Sequence, residues 1–332
     1  MKVARLHGIG DIRLHDEPKP EPNAGESLIR VAAVGVCGSD LHWLTEAGIG
    51  DAQLGKPLVL GHEFAGTTAD GERVAADPAI SCGWCEMCLQ GNPNLCLNLA
   101  FAGHADQDGA LREFVAWPAR FLHRLPESMD FEEGALLEPL GVAMHAVDLG
   151  KIRPGRKVGV FGCGPIGLLI IQLARRSGAT TILATDVLSH RLDAAREFGA
   201  THTFIAHSGD EAAEIRSSVD GRGVDVAFEA AGEQEAVEAA FELAAPGAKV
   251  ILAGIPAVDQ TSFRASTARR KGLTIKLVRR MKNTYPRAIE LVAAGLINVR
   301  SLVTHRFPLD KAAEAFAVAQ RREGLKVVVQ PG

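Results

Sequence analysis

The sequence predicts an α/β protein built from two units, a strand-rich barrel-like unit and a doubly wound parallel sheet. Three observations carry this. Residues 1 to about 140 hold short β-branched runs punctuated by Gly and Pro. From Lys157 the pattern switches to short apolar runs alternating with helical periodicity. Beyond Asn283 that alternation stops, so the tail is expected to return to the first unit.

In the first unit, Ser27 to Val36 reads as a strand, and Phe64–Thr68 and Arg73–Ala76 as a hairpin turning at Asp70-Gly71. Gly109 to Ala116 reads as another strand. In the second, strands are expected at Lys157–Phe161, Thr181–Thr185, His202–Ile205, Val224–Glu229, Ala248–Ala253 and Leu273–Leu277. Helices such as Ile166–Ser177 and Leu192–Phe198 separate them, and six such strands argue for a parallel sheet. In the tail, Tyr285–Ala294 and Leu309–Gln320 are amphipathic, and Lys326-Val-Val-Val-Gln closes as a strand.

The bulk properties fit this reading. At 332 residues, two domains are expected, each able to bury a core. Apolar residues are 47% and charged residues 23%, with a net charge of −4, so nothing points to nucleic acid or an anionic membrane. The N-terminus lacks an apolar signal core, and the longest apolar stretch, Val158 to Ala174, is broken by glycines and Pro165. A reducing cytoplasm is expected.

Four of the six cysteines lie in one turn-rich segment, Cys82, Cys85, Cys88 and Cys96, spaced C-x2-C-x2-C-x7-C. Four thiolates satisfy a tetrahedral zinc with no open position, so this loop is expected to hold a structural metal and to do no chemistry.

Gly162-Cys-Gly164-Pro-Ile166-Gly167 follows one strand and opens one helix. In that context G-x-G-x-x-G is a dinucleotide turn: Gly162 for the bend, Gly164 for approach of the pyrophosphate, Gly167 for helix–strand packing. Asp186 ends the next strand, placed to bind a ribose 2′-hydroxyl and to repel a 2′-phosphate, which favours NAD over NADP. Arg191 is the nearby cation that would suit a phosphate; it is read as a contact on the adenine side.

The reactive centre is sought in Cys37-Gly-Ser39-Asp40-Leu-His42, in Gly61-His62-Glu63 and in Glu138-Pro-Leu. A catalytic zinc takes about three protein ligands and keeps one position open. Cys37 and His62 are the thiolate and imidazole candidates. Glu63 and Glu138 are the candidate oxygens, and the spacing does not say which binds directly.

Together these motifs resemble the zinc-dependent medium-chain dehydrogenases/reductases, and within them the sorbitol (L-iditol) dehydrogenase-like polyol dehydrogenases. The resemblance runs through almost the whole chain, including Phe131 to Leu140 and Leu302 to Leu309. It implies a GroES-like β-barrel catalytic domain at 1–141 and 281–332, interrupted by a Rossmann NAD-binding domain at 142–280. It implies two zinc ions per subunit and a homodimer or homotetramer. It assigns Cys37, His62 and Glu63 as catalytic zinc ligands and Glu138 as the residue that holds or exchanges with zinc-bound water. Ser39 and His42 fall at proton-relay positions. Ile166, Asp186, Arg191, Gly254, Ile255 and Arg279 fall at cofactor positions, and Phe114 and Arg279 at polyol contacts. Two positions depart from the pattern: Trp43 stands where sorbitol dehydrogenases have tyrosine, and Val278-Arg279-Arg280 where they have Phe-Arg-Tyr. Arg280, if it faces the pocket, would suit an acidic or phosphorylated substrate.

The expected activity is NAD-linked oxidation of a secondary alcohol of a polyol or sugar derivative. Alternatives are an L-threonine 3-dehydrogenase or an idonate-like sugar-acid dehydrogenase and, remotely, a non-catalytic nucleotide-binding scaffold.

Overall fold

The computed structural model describes residues 1–206 and 211–332. In chain order the first main elements are strands β1 (Lys2–Gly8), β2 (Asp11–Asp16) and β3 (Glu26–Gly35), helix α1 (Gly38–Glu46), and strands β4 (Glu63–Thr68), β5 (Arg73–Ala76), β6 (Phe114–Pro118) and β7 (Leu122–Arg124). Helices α2 (Phe131–Ala135) and α3 (Leu137–Gly150) follow. Alternation then begins: β8 (Lys157–Phe161), α4 (Pro165–Arg176), β9 (Thr181–Asp186), α5 (Ser189–Glu197), β10 (His202–Ile205), α6 (Glu211–Ser218), β11 (Val224–Glu229), α7 (Gln234–Leu243), β12 (Ala244–Leu252), α8 (Ala265–Lys271) and β13 (Thr274–Leu277). The tail supplies α9 (Tyr285–Ala293), β14 (Val303–Pro308), α10 (Ala312–Gln320) and β15 (Lys326–Gln330). The chain divides into two compact units, Met1–Pro139 with Lys282–Gly332, and Leu140–Met281.

In the first unit, among the described residues, a seven-stranded sheet runs β7-β5-β4-β3-β15-β14, with β6 also pairing β3. β3 is its organiser. It takes β4 and β15 antiparallel on its two sides at the Gly35 end, and β6 at the other. The tail therefore pairs with the start of the chain, Val328 opposite Gly35. The β4–β5 hairpin turns where expected, with Gly71 at φ 89°. The strand expected from Gly109 begins only at Phe114. Residues 109–111 instead donate their backbone N–H groups to Val59, Gly61 and Leu60, so they are paired outside the sheet. α2 starts on a reciprocal cap, the Asp130 carboxylate accepting from Glu133 N and Glu133 accepting from Asp130 N. The core holds Trp43, Phe64, Trp117 and Phe316, all buried.

In the second unit the six-stranded sheet is parallel throughout, in the order β10-β9-β8-β11-β12-β13. β12 begins four residues earlier than expected, at Ala244. The chain order reverses between β8 and β11, which makes their C-terminal ends a topological switch point, where open α/β sheets bind ligands. α4 leads away from that point, with Gly164 as its N-cap, Pro165 in its first turn and Arg175 and Arg176 in its last.

Candidate active site

The Gly35 end of β3 gathers one of the two metal-ligand clusters of the first unit. Cys37 follows β3 and stands at the N-cap of α1; Glu63 opens β4 opposite Gly35. The ligand atoms of Cys37, His62 and Glu63 lie within 4.8 Å of one another. His62 and Glu63 are buried and Cys37 is half-buried.

Asp40 arranges two of these ligands. One carboxylate oxygen accepts from Cys37 N at 3.0 Å; the other lies 3.3 Å from His62 Nδ1 and accepts from Gly61 N at 3.3 Å. With Nδ1–H on Asp40, Nε2 is the ring nitrogen left for a metal. Burial alone would lower the His62 pKa, but Asp40 and Cys37 outweigh it and hold it well above the usual value. A divalent ion would take the place of that proton.

Glu63 is fully buried, and its carboxylate is split between two fates. Lys326 Nζ, itself buried, donates to Oε1 at 2.6 Å. Oε2 has no hydrogen-bond partner. Gly35 makes the space for it, because a Cβ there would overlap Oε2. A thiol, an imidazole and a buried carboxylate with one oxygen unpartnered, gathered within 4.8 Å, fit a zinc ion. Glu138, in the first turn of α3, is buried beside this set without joining it; burial pushes its pKa up to about 7, against the opposing pull of His62.

The second cluster is Cys82, Cys85, Cys88 and Cys96, whose sulfurs also lie within 4.8 Å of one another. Sγ–Sγ separations of 4.0 Å for Cys82–Cys88 and 3.9 Å for Cys85–Cys96 suit a tetrahedral ion, since bonds of about 2.3 Å put sulfurs about 3.8 Å apart. They are far too long for disulfides, and all six cysteines are free. Backbone N–H groups of Cys82 and Cys85 point at Cys96 Sγ and Cys82 Sγ, as they do toward thiolates.

In the second unit the glycine motif lies at the switch point. Gly162 has φ 103°, and a Cβ on it would stand 2.8 Å from Ala231 N; a Cβ on Gly167 would collide with Gly162 O. The open N-terminus of α4 and this bare turn form a cradle that fits a dinucleotide pyrophosphate. Asp186 is buried and braces the turn, accepting from Cys163 N at 2.7 Å and Leu188 N at 2.9 Å, with Arg191 3.9 Å away. Gly254 and half-exposed Ile255 follow β12 and pack against Gly232. Arg279 and Arg280 follow β13, Arg280 with φ 56°.

Two residues expected to contact substrate, Trp43 and Phe114, lie as follows. Trp43 is only 2% exposed: α1 buries Asp40, Trp43 and Leu44 together at three- and four-residue spacing, and the indole meets His104 edge-on. Phe114 sits opposite Arg30, five residues along β3 from Gly35 and so roughly 17 Å away, with Lys19 Nζ over its ring. Phe101 is the phenyl ring beside the cluster, its centroid 5.1 Å from that of His62. His42 reaches Glu46 at 3.0 Å along α1.

Sequence reasoning assigned no role to Asp40, Phe101, Lys326 or Glu229. Asp40 had a local signal, an acid at the third position of a helix whose cap is Cys37. Glu229 ends β11 and accepts from Ala231 N and Gly232 N at 2.6 and 2.7 Å, shaping the loop that faces Gly162.

Comparisons agree with this geometry. Residues 23–127 match the family described as alcohol dehydrogenase GroES-like domain, and residues 165–294 the family described as zinc-binding dehydrogenase. The chain belongs to the zinc-dependent medium-chain dehydrogenases/reductases and is an alcohol oxidoreductase. Among individual relatives it resembles the sorbitol dehydrogenase of Bacillus subtilis, with 37% identity over all of this chain and 97% of the relative. A zinc-binding dehydrogenase from Sinorhizobium meliloti, solved with NADP, superposes with a TM-score of 0.92 at 33% identity, covering 99% of each chain. L-idonate 5-dehydrogenase from Escherichia coli also gives 0.92, at 26% identity over 99% of this chain and 98% of that one. No helix among the described residues is long and apolar enough to cross a membrane.

Proposed function

We propose that this chain oxidises a secondary alcohol of a polyol or sugar derivative to the ketone, with NAD as hydride acceptor and a zinc ion held by Cys37, His62 and Glu63. The observation that carries the reading is the buried Glu63 carboxylate, with Oε2 unpartnered, within 4.8 Å of a thiol and an Asp40-oriented imidazole. The sorbitol dehydrogenases supply the substrate class.

When bound, zinc polarises an alcohol and NAD takes the hydride. The chain's own residues prepare for that. Asp40 fixes the His62 ring and the Cys37 backbone, so the ligand set exists before metal arrives. Glu138, buried beside the set, is the group that holds a water or a substrate hydroxyl in the open position. Ser39 and His42, in α1 just after Cys37, carry the released proton outward; with Nδ1 on Glu46, His42 keeps Nε2 for exchange.

Gly162, Gly164, Ile166 and Gly167 bind the pyrophosphate side, and Asp186 and Arg191 the adenosine side. The Asp186 carboxylate opposes a 2′-phosphate and supports NAD over NADP. Gly254, Ile255 and Arg279 line the nicotinamide side. The first unit is thus the catalytic domain and the second the nucleotide domain. The exposed edge of β13, with Leu277 73% exposed, supports pairing with a second copy as a homodimer or within a tetramer. Free cysteines support a reducing cytoplasm.

A sugar acid is the second reading, favoured by Arg280 after β13 and by the likeness to L-idonate 5-dehydrogenase, while Arg279 and Glu138 favour a polyol. Cys37→Ser should abolish turnover, a loss of at least about 1,000-fold, while NADH still binds; wild-type-like activity in that variant sinks the proposal. NADH formation across polyols, sugar acids and threonine separates the substrate readings.

A further inference from the structure

Lys326 and Glu63 stand 263 residues apart in sequence, yet their side chains meet inside the first unit. The sheet register explains how. Gly35, on the central strand β3, is opposite Glu63 on β4 and opposite Val328 on β15. Having no side chain, it lets the lysine from one neighbour reach the carboxylate from the other across the middle strand. A Cβ on Gly35 would overlap Glu63 Oε2 and stand 3.1 Å from Lys326 Cε.

The pair is an odd choice for stability alone. Both side chains are at most 3% exposed, and a buried ion pair can usually be replaced by apolar residues without loss. A pair serving only the fold would also use both carboxylate oxygens. Here Lys326 takes Oε1 and leaves Oε2 without a partner, in a carboxylate of which one oxygen lies within 4.8 Å of the Cys37 and His62 ligand atoms.

We propose that Lys326 is the positioning residue of the catalytic metal site: by holding Oε1 it fixes Glu63 so that Oε2 is presented as a preformed ligand. The proposal rests on the reading of Cys37, His62 and Glu63 as the zinc site. Lys326 touches neither substrate nor cofactor in this role; it acts through Glu63. An unanchored Glu63 would swing between rotamers, and zinc would have to order it on binding.

The test is zinc affinity, read by competition with a chromogenic chelator together with metal content, on the full chain. Wild type should hold two zinc ions, one per cluster. Lys326→Met should bind zinc about 10- to 100-fold more weakly at the Cys37 site, while the four-cysteine cluster keeps its ion and reports that the chain is folded. Lys326→Arg, which keeps a donor to Oε1, should recover most of the affinity. In a Glu63→Gln background, Lys326→Met should cost nothing further. Unchanged affinity in Lys326→Met, or an equal loss with and without Glu63, overturns the proposal. Should Lys326→Met fail to fold, Gly35→Ala replaces it: its methyl displaces Oε2, and unchanged affinity there overturns the proposal equally. A wild-type chain that binds only the four-cysteine zinc sinks the underlying site assignment instead, a separate result.

Discussion

His123 lies flat on Tyr285, the only tyrosine in the chain, with ring centroids 4.5 Å apart and planes 3° from parallel. The tyrosine hydroxyl donates to Ala76 O at 2.7 Å and ties the tail to the first hairpin. Burial lowers the His123 pKa below the usual 6.5. The folded state therefore keeps a neutral ring, while the unfolded chain binds a proton as pH falls through 6.5. Full stability lies above that pH and is lost on descending below it. His123→Phe keeps the stack and removes the titration, so its Tm should fall less than that of wild type between pH 7 and pH 5. Parallel declines in the two proteins would rule the mechanism out. At this scale the ligand types were legible in the sequence, since Cys37, His62 and Glu63 have few chemical roles in such a pattern. Their supporting groups were less so. Asp40 sits three residues from Cys37, but its contact with His62 depends on where the chain returns 22 residues later.

At the scale of elements, the β8–α4 turn shows how far a motif reaches. Its spacing already predicted a strand, a tight bend and a helix, because only glycine accepts φ 103° and so close a neighbouring carbonyl. Gly167→Ala should push α4 off β8 and raise the Kd for NADH at least about 10-fold, with both zinc ions retained. Fluorescence titration of NADH with metal counting checks this, and a wild-type Kd would show the close packing to be unnecessary. The strands of the parallel sheet were visible as β-branched runs of the right length. α1 and the β1–β2 hairpin were not, because their apolar residues are few and mixed with charge. The burial of Trp43 and the position of Phe114 along its strand were not legible either, for a related reason. Neighbourhood in sequence does not reveal which face of a helix is buried or how far along a strand a residue lies from the site.

At the scale of the whole molecule, the chain carries two kinds of metal cluster with different dependence on the fold. Between Cys82 and Cys96 only Cys85, Asn94 and Cys96 are buried, and Trp84 and Leu89 are 68% and 75% exposed. Such a lobe has little core of its own and needs its ion to keep its shape. Cys88→Ser should lose one zinc and open this segment to proteolysis, while the Cys37 site keeps its metal. A protease-resistant variant would mean that packing, not metal, holds the lobe.

The sequence by itself determined the two-part architecture, the four-cysteine cluster and the dinucleotide turn, because each rests on short-range spacing and on residues with narrow chemical use. The tertiary structure alone decided what surrounds Cys37, His62 and Glu63. Strand pairing across Gly35 brings Lys326 to Glu63 from the far end of the chain, and loop 59–61 brings His62 to Asp40. Those contacts follow from sheet register, a property of the whole fold that no local pattern encodes.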